Sequence, residues 1–263
     1  MDSIQLALAN IASPPVLAFI LGLSLVLVRS QLQIPGQIFD FLSIYLLLAI
    51  GIKGGVSLST TPATEVWLPV LVAIGVGCLI PIAVFFGLKL ITPLDKINRG
   101  ALAAHYGSTS LVTFTAGLVF LENANLAVEG YMPSLLAVME VPGIIVGILL
   151  AKRSSRDGAL STALNEVFTS KSVILLIGGI LIGFITGPTG YEKVEPFFGS
   201  IFTGMLTIFL LQLGIQAGKS VKEARRAGFG LLAFALGFPL VSGALGVAIA
   251  QAIGISQGGS VVF

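Results

Sequence analysis

Gly36–Leu58 reads GQIFDFLSIYLLLAIGIKGGVSL, and 163 positions later Gly199–Val221 reads GSIFTGMLTIFLLQLGIQAGKSV. Nine of the 23 paired residues are identical, among them Gly36, Ile38, Phe39, Gly51, Ile52, Gly55 and Ser57 of the first copy. Self-similarity at a fixed spacing marks a duplicated unit. A shift of 158 extends the pairing more weakly, setting Pro81 against Pro239, Ile97 against Ile255 and Gly100 against Gly258. Apolar glycine-rich helices also resemble one another through composition alone, so the repeat needs independent support. In both copies the glycines are expected to break the helix at a span end.

That support comes from composition and charge. The 263 residues are 56% hydrophobic and only 10% charged, with a mean hydropathy of +1.03. A water-soluble domain of this size cannot hide so much apolar surface. Scattered glycines within apolar runs suit closely packed membrane helices. The net charge of +2 forms no patch for nucleic acid. A lone Cys78 allows neither an internal disulfide nor a thiolate metal cage. The chain is an all-α polytopic membrane protein.

A crossing needs about 20 apolar residues. Spans are read at Ile4–Val28, with a kink at Pro14-Pro15, then at Ile38–Ile52, Trp67–Leu88, Gly100–Leu121 and Tyr131–Ala151. Ser172–Tyr191 and Pro196–Gly218 follow, and Ala227–Phe263 is long enough for an eighth helix to about Ala250 and the start of a ninth. Of the 14 Lys and Arg, 12 follow spans one, three, five and seven; only Lys53 and Lys193 do not. Loop acids Glu65, Glu122, Glu129, Glu192 and Glu195 fall on the opposite side. The positive-inside rule puts the N-terminus outside a plasma (inner) membrane and those four loops in the cytoplasm.

An odd number of spans per half inverts the second half, as the charges independently require. The expectation is a 5+5 inverted-repeat transporter fold with broken fourth and ninth helices, about eight and a half spans being present. Residues 1–151 form the first five-helix repeat, 152–171 a cytoplasmic linker, and 172–263 an incomplete second repeat. By symmetry roughly 45–50 residues would be wanting after Phe263, and the 263-residue form is not expected to transport by itself. In the linker, Asp157 and Ser161 are helix-cap candidates before an amphipathic stretch from Leu160 to Phe168, read as a hinge on the membrane surface.

Candidate chemistry gathers in the fourth span, Gly100-Ala-Leu-Ala-Ala-His105-Tyr-Gly-Ser108-Thr-Ser110-Leu-Val-Thr113-Phe-Thr115. Small hydroxyl residues bond back to backbone carbonyls and permit a local break. Amides at the start of the following half-helix, at its positive dipole end, suit a small anion. Hydroxyls and unwound carbonyls suit Na⁺. Ser, Thr and Gly also serve plain helix packing, and both readings stand. Glu140 lies mid-span before Pro142, and an intramembrane carboxylate is a functional-site candidate by default. Asp40 is placed near a membrane edge, solvated or paired; Lys53 is placed snorkelling to the outer surface. His105 lacks acidic or thiol companions and is a poor transition-metal ligand. His105 with Ser108 offers no oxyanion hole, Asp40 has no facing partner Asp, and no nucleotide or redox motif occurs. No catalytic residue and no enzyme activity is expected.

Tyr106-Gly-Ser-Thr-Ser110-Leu-Val-Thr113, then Phe120-Leu-Glu-Asn123, Met139-Glu-Val-Pro142 and the Gly51–Gly55 glycines make the chain resemble the sodium-dependent bicarbonate transporters of the SbtA type. The resemblance implies Na⁺-coupled bicarbonate uptake at a site where the fourth and ninth helices face one another. It places the anion at Tyr106, Gly107, Ser108, Thr109 and Ser110, and Na⁺ at Ser108, Ser110, Thr113 and Glu140. Na⁺ is the coupling ion, with no other cofactor. A trimer in the lipid bilayer and a PII-like cytoplasmic regulator are implied in the same way. Hydroxyls and amides do not separate bicarbonate from carboxylates, so a transporter of another small anion is the alternative, with a non-transporting truncated scaffold third.

Overall fold

The computed structural model describes residues 11–30, 32–151, 165, 168–226 and 228–263, apart from the side chains of 111, 140 and 222–226. Every regular element among these residues is helical. The helices are α1 (Pro14–Leu27), α2 (Gly36–Thr60), α3 (Ala63–Ile91), α4 (Lys96–Gly107), α5 (Leu111–Asn123) and α6 (Met132–Ala151). α7 (Lys171–Glu192), a π-turn at Pro196–Ser200, α8 (Phe202–Arg226), α9 (Phe229–Ala252) and α10 (Gln257–Val262) complete the series. Starts are set by local chemistry. Pro14 occupies the first turn of α1, where its missing N–H costs nothing. Asp95, Ser110, Ser170 and Ser256 each accept from a backbone amide three residues on, capping α4, α5, α7 and α10.

Five of the described helices, α2, α3, α6, α7 and α9, are long and apolar enough to cross a membrane. α9 is almost wholly uncovered by the rest of the chain, with Leu236 74% and Leu240 75% exposed. Water does not tolerate such a surface on a folded helix, and lipid does. The protein is a multi-pass membrane protein.

The core forms where α2, α6, α7 and α8 meet, around Leu42, Leu46, Ile50, Leu135, Leu176 and Leu206. A smaller cluster of Val84, Phe85, Leu88, Ala103 and Phe234 joins α3, α4 and α9. α2 packs along α7, and α1 along α8. Glycines let these backbones touch. A Cβ on Gly51 would lie 2.7 Å from the Leu176 carbonyl and 3.0 Å from Gly179 Cα, and one on Gly214 would collide with the Phe19 carbonyl. Conversely Gly179 faces Leu48, Gly51 and Ile52, while Gly22 faces Leu211, Gly214 and Ile215. These contacts of α2 on α7 therefore have counterparts of α8 on α1. The offset is 163 between α2 and α8, as from Gly51 to Gly214, and 157 between α1 and α7, as from Gly22 to Gly179.

Three expectations change. Gly51, Gly54 and Gly55 do not fray the second span: α2 continues to Thr60, and the glycines admit α6 and α7. The seventh span does not start as α-helix at Pro196, because Pro196–Ser200 forms a π-turn, and α8 runs past Gly218 to Arg226. The 158 shift does not hold into the ninth span. The caps Asp95 and Ser256 are 161 apart, and Gly100 packs on Ala151 whereas Gly258 packs on Ala127. Near the N-terminus a turn and bend at Ala12 and Ser13 precede Pro14. Residues 1–10 and the linker's cap candidates Asp157 and Ser161 lie outside the described residues.

Candidate functional site

The fourth span is interrupted. α4 stops at Gly107 and α5 starts at Leu111, with Ser108 and Ser110 extended between them (ψ 132 and 108). The sequence explains the gap: Ser108, Thr109 and Ser110 offer hydroxyls that satisfy the backbone groups a broken helix releases. Ser110 Oγ accepts from the Thr113 amide at 3.3 Å and from Thr113 Oγ1 at 3.0 Å. Thr109 Oγ1 donates to the Leu136 carbonyl at 3.1 Å, tying the break to α6.

The back of the break is shut. Gly107 and Gly143 stand in backbone contact, Pro81 packs against Gly107, and Gly147 admits Ala104, so α4 lies flush on α6. The front is open. A cavity of about 460 Å³ is lined by His105, Tyr106, Ser108, Thr109, Ser110, Thr113, Phe114, Leu136 and residues 261–263 at the end of α10. Val262 of α10 reaches the Cβ position of Gly117 on α5, so α10 forms the opposite wall.

Five of the sequence-derived positions, Tyr106, Ser108, Thr109, Ser110 and Thr113, thus share one cavity. Gly107 is not on its surface but buried behind it. Glu140 belongs to α6, four residues beyond Leu136, and its side chain lies outside the described residues. Asp40 sits at the start of α2, paired with Lys171 at the start of α7 at 2.9 Å. Lys53 is exposed, with its ammonium 6.0 Å from the Phe202 ring centroid. Tyr106 meets Phe234 and Phe238 of α9 edge to face, which anchors the end of α4.

The chemistry available follows from hydroxyl geometry. Helix geometry leaves the first amides of α5 without intrahelical partners, and they carry the positive end of its dipole into the break. The Ser110 hydroxyl, acting as acceptor toward Thr113, keeps its own proton to donate. Thr113 donates to Ser110 and keeps its lone pairs for a cation. One short segment therefore offers donors for an anion beside oxygens for a hard cation. Among the described residues no three His, Cys, Asp or Glu side chains cluster as metal ligands would.

Sequence reasoning set the ninth helix against the fourth but named no residue of the wall. Leu136, Phe114 and residues 261–263 carry no polar signal. A second cavity of about 400 Å³ lies between the starts of α3 and α6 and the turn before α10, lined in part by Glu65, Glu129, Tyr131 and Gly254. Tyr131 lies in the turn before α6 rather than inside it, and burial, then the Glu129 and Glu65 carboxylates, push its phenol above its ordinary range. It stays protonated at neutral pH.

Among curated proteins, none matches the chain. Residues 14–263 match the Na⁺-dependent bicarbonate transporter superfamily. The chain belongs to that superfamily, a family of transporters.

Proposed function

We propose that this superfamily member is a secondary transporter that couples bicarbonate uptake to Na⁺ across the plasma membrane, by alternating access. The observation that carries the reading is the interrupted fourth span, whose Ser108, Thr109, Ser110 and Thr113 line a cavity walled by α10. In this reading the α5 amides and the Ser110 hydroxyl hold the anion, Tyr106, Ser108 and Thr109 shape its pocket, and Gly107 lets α4 seat against α6. Ser108, Thr113 and Glu140 provide oxygens for Na⁺. A bound cation beside the anion offsets the cost of bringing either charge into a low-dielectric bilayer.

The reading includes an inverted 5+5 repeat. Two observations support it: the reciprocal glycine contacts at offsets of 163 and 157, and the meeting of elements that the charge map puts on one side. Asp40 pairs with Lys171 at the cytoplasmic ends of α2 and α7, and Glu129 meets Ser256 at the outer face. The N-terminus is then outside.

The hydroxyls of Ser108, Thr109 and Ser110 suit a carboxylate as well as bicarbonate, and that favours one second reading, Na⁺-coupled uptake of a small carboxylate. Uptake of labelled bicarbonate by the full native protein, with Na⁺ or with choline outside and with acetate or pyruvate as competitors, separates the two. Bicarbonate transport that needs Na⁺ and resists the carboxylates supports the first. Carboxylate uptake without bicarbonate uptake sinks it.

A further inference from the structure

The turn between α5 and α6 does more than connect them. Asn125 takes a left-handed conformation (φ 53) that folds 126–129 back over the start of α10. Glu129, half-buried, accepts from the Ser256 amide through Oε1 at 2.6 Å and from the Ser256 hydroxyl through Oε2 at 3.0 Å. The same hydroxyl lies 3.3 Å from the Ala127 carbonyl and caps α10 by accepting from the Gly259 amide at 3.1 Å.

The next residues are shaped to this grip. A Cβ on Gly258 would collide with the Ala127 carbonyl, and one on Gly259 with Glu129 Oε2. Only glycine at both positions lets the first turn of α10 lie against residues 127–129. Ser260, buried, donates to the Ser256 carbonyl at 2.7 Å and closes that turn. Immediately after it, 261–263 form the wall of the cavity opposite Ser110 and Thr113. α10 is short and shares few other contacts with the first half, mainly with α5.

We propose that Glu129 is a positioning residue: its two-point hold on Ser256 fixes α10 and so sets the far wall of the cavity. This rests on the transport reading of that cavity. Glu129 touches neither substrate nor ion; it acts through Ser256 and the Gly258-Gly259 turn. Substitution to Gln keeps the shape but loses one acceptor, because an amide nitrogen cannot accept from Ser256.

The test uses the full native protein in lipid nanodiscs and in liposomes, as wild type, Glu129→Gln, Ser256→Ala and the double variant. Hydrogen exchange of amides 257–262 is read beside the kcat and KM of Na⁺-driven bicarbonate uptake. Each single variant is expected to speed exchange in 257–262 about tenfold, equivalent to about 1.4 kcal/mol, leaving α2 and α7 unchanged. The double variant should be no faster than the faster single one, because both changes cut the same link. KM should rise severalfold with kcat within about twofold. Unchanged exchange at 257–262, or additive effects, overturns the proposal, as does a fall in kcat alone. If exchange responds as expected but wild type takes up no bicarbonate, the hold on α10 stands and the transport reading fails.

Discussion

Two regions of the molecule use glycine and hydroxyl side chains in opposite ways. In the pairs α2–α7 and α1–α8, glycines let the helices touch backbone to backbone, and the hydroxyls turn onto their own helix, as Ser24 does to the Ile20 carbonyl and Ser43 to the Phe39 carbonyl. In α4–α5 the glycines close only the back, where Gly107 meets Gly143, and the hydroxyls of Ser108, Ser110 and Thr113 open onto a cavity. The first arrangement spends its small residues on rigidity. The second spends them on access. A frame beside a site is the division of labour that alternating access requires.

The sharpest way to break the comparison is to add one methyl group to the frame. Gly51→Ala and Gly214→Ala should each destabilise the protein by about 1–3 kcal/mol through overpacking, and by similar amounts if the two positions are equivalent. Gly204→Ala and Gly237→Ala, in α8 and α9 with nothing near the added carbon, should be neutral or stabilising by up to about 1 kcal/mol. Thermal unfolding in detergent checks all four. A destabilised Gly51→Ala beside an unaffected Gly214→Ala would dissolve the equivalence.

In the site the expected sign of the contrast reverses. Ser110→Ala should lower Na⁺-dependent uptake about tenfold, about 1.4 kcal/mol. The lost cap costs only about 1 kcal/mol in stability, so the transport defect should persist at temperatures where the variant is fully folded.

Tyr45→Phe returns to the frame. It removes the hydroxyl that donates to the Phe197 carbonyl at the π-turn and should cost about 1 kcal/mol in stability, with the Na⁺ dependence of uptake unchanged. The smallest effect belongs to Asp40→Asn. Its ion pair with Lys171 is solvent-exposed, so the loss should stay below about 0.5 kcal/mol and vanish in high salt. A large effect there would mean that the paired ends of α2 and α7 matter more than their glycines.

How much of this could be read from the chain depends on where each residue's partner lies. The break in the fourth span was legible because its cause is local: three small hydroxyl residues follow Gly107, and Ser110 caps the start of α5 by accepting from the Thr113 amide. The likeness of α2 and α8 was legible because both press glycines into a neighbour and cannot drift. The matching likeness of α1 and α7 was not, since at the offset of 157 only Val16, Ile20 and Gly22 of α1 recur, as Val173, Ile177 and Gly179. The Gly51–Gly55 run was misread as fraying, because a glycine that loosens a helix and one that admits a neighbour look alike until the neighbour, 79 or more residues away, is in place. Glu129 was placed only as an outer-loop acid; its partner Ser256 is 127 residues distant, and no periodicity links them. The wall at 261–263 is apolar, and only the family resemblance, which sets the ninth helix against the fourth, pointed toward it.

The central claim is that the interrupted span is a site for bicarbonate and Na⁺ together. Its most direct test is uptake of labelled bicarbonate into liposomes holding the full native protein, for wild type and Thr113→Val, across a range of outside Na⁺. The account predicts uptake by wild type that rises with Na⁺ and is absent in choline, and a Thr113→Val protein that needs about tenfold more Na⁺ for the same rate. Bicarbonate uptake indifferent to Na⁺, or an unshifted Na⁺ dependence in folded Thr113→Val protein, would contradict it.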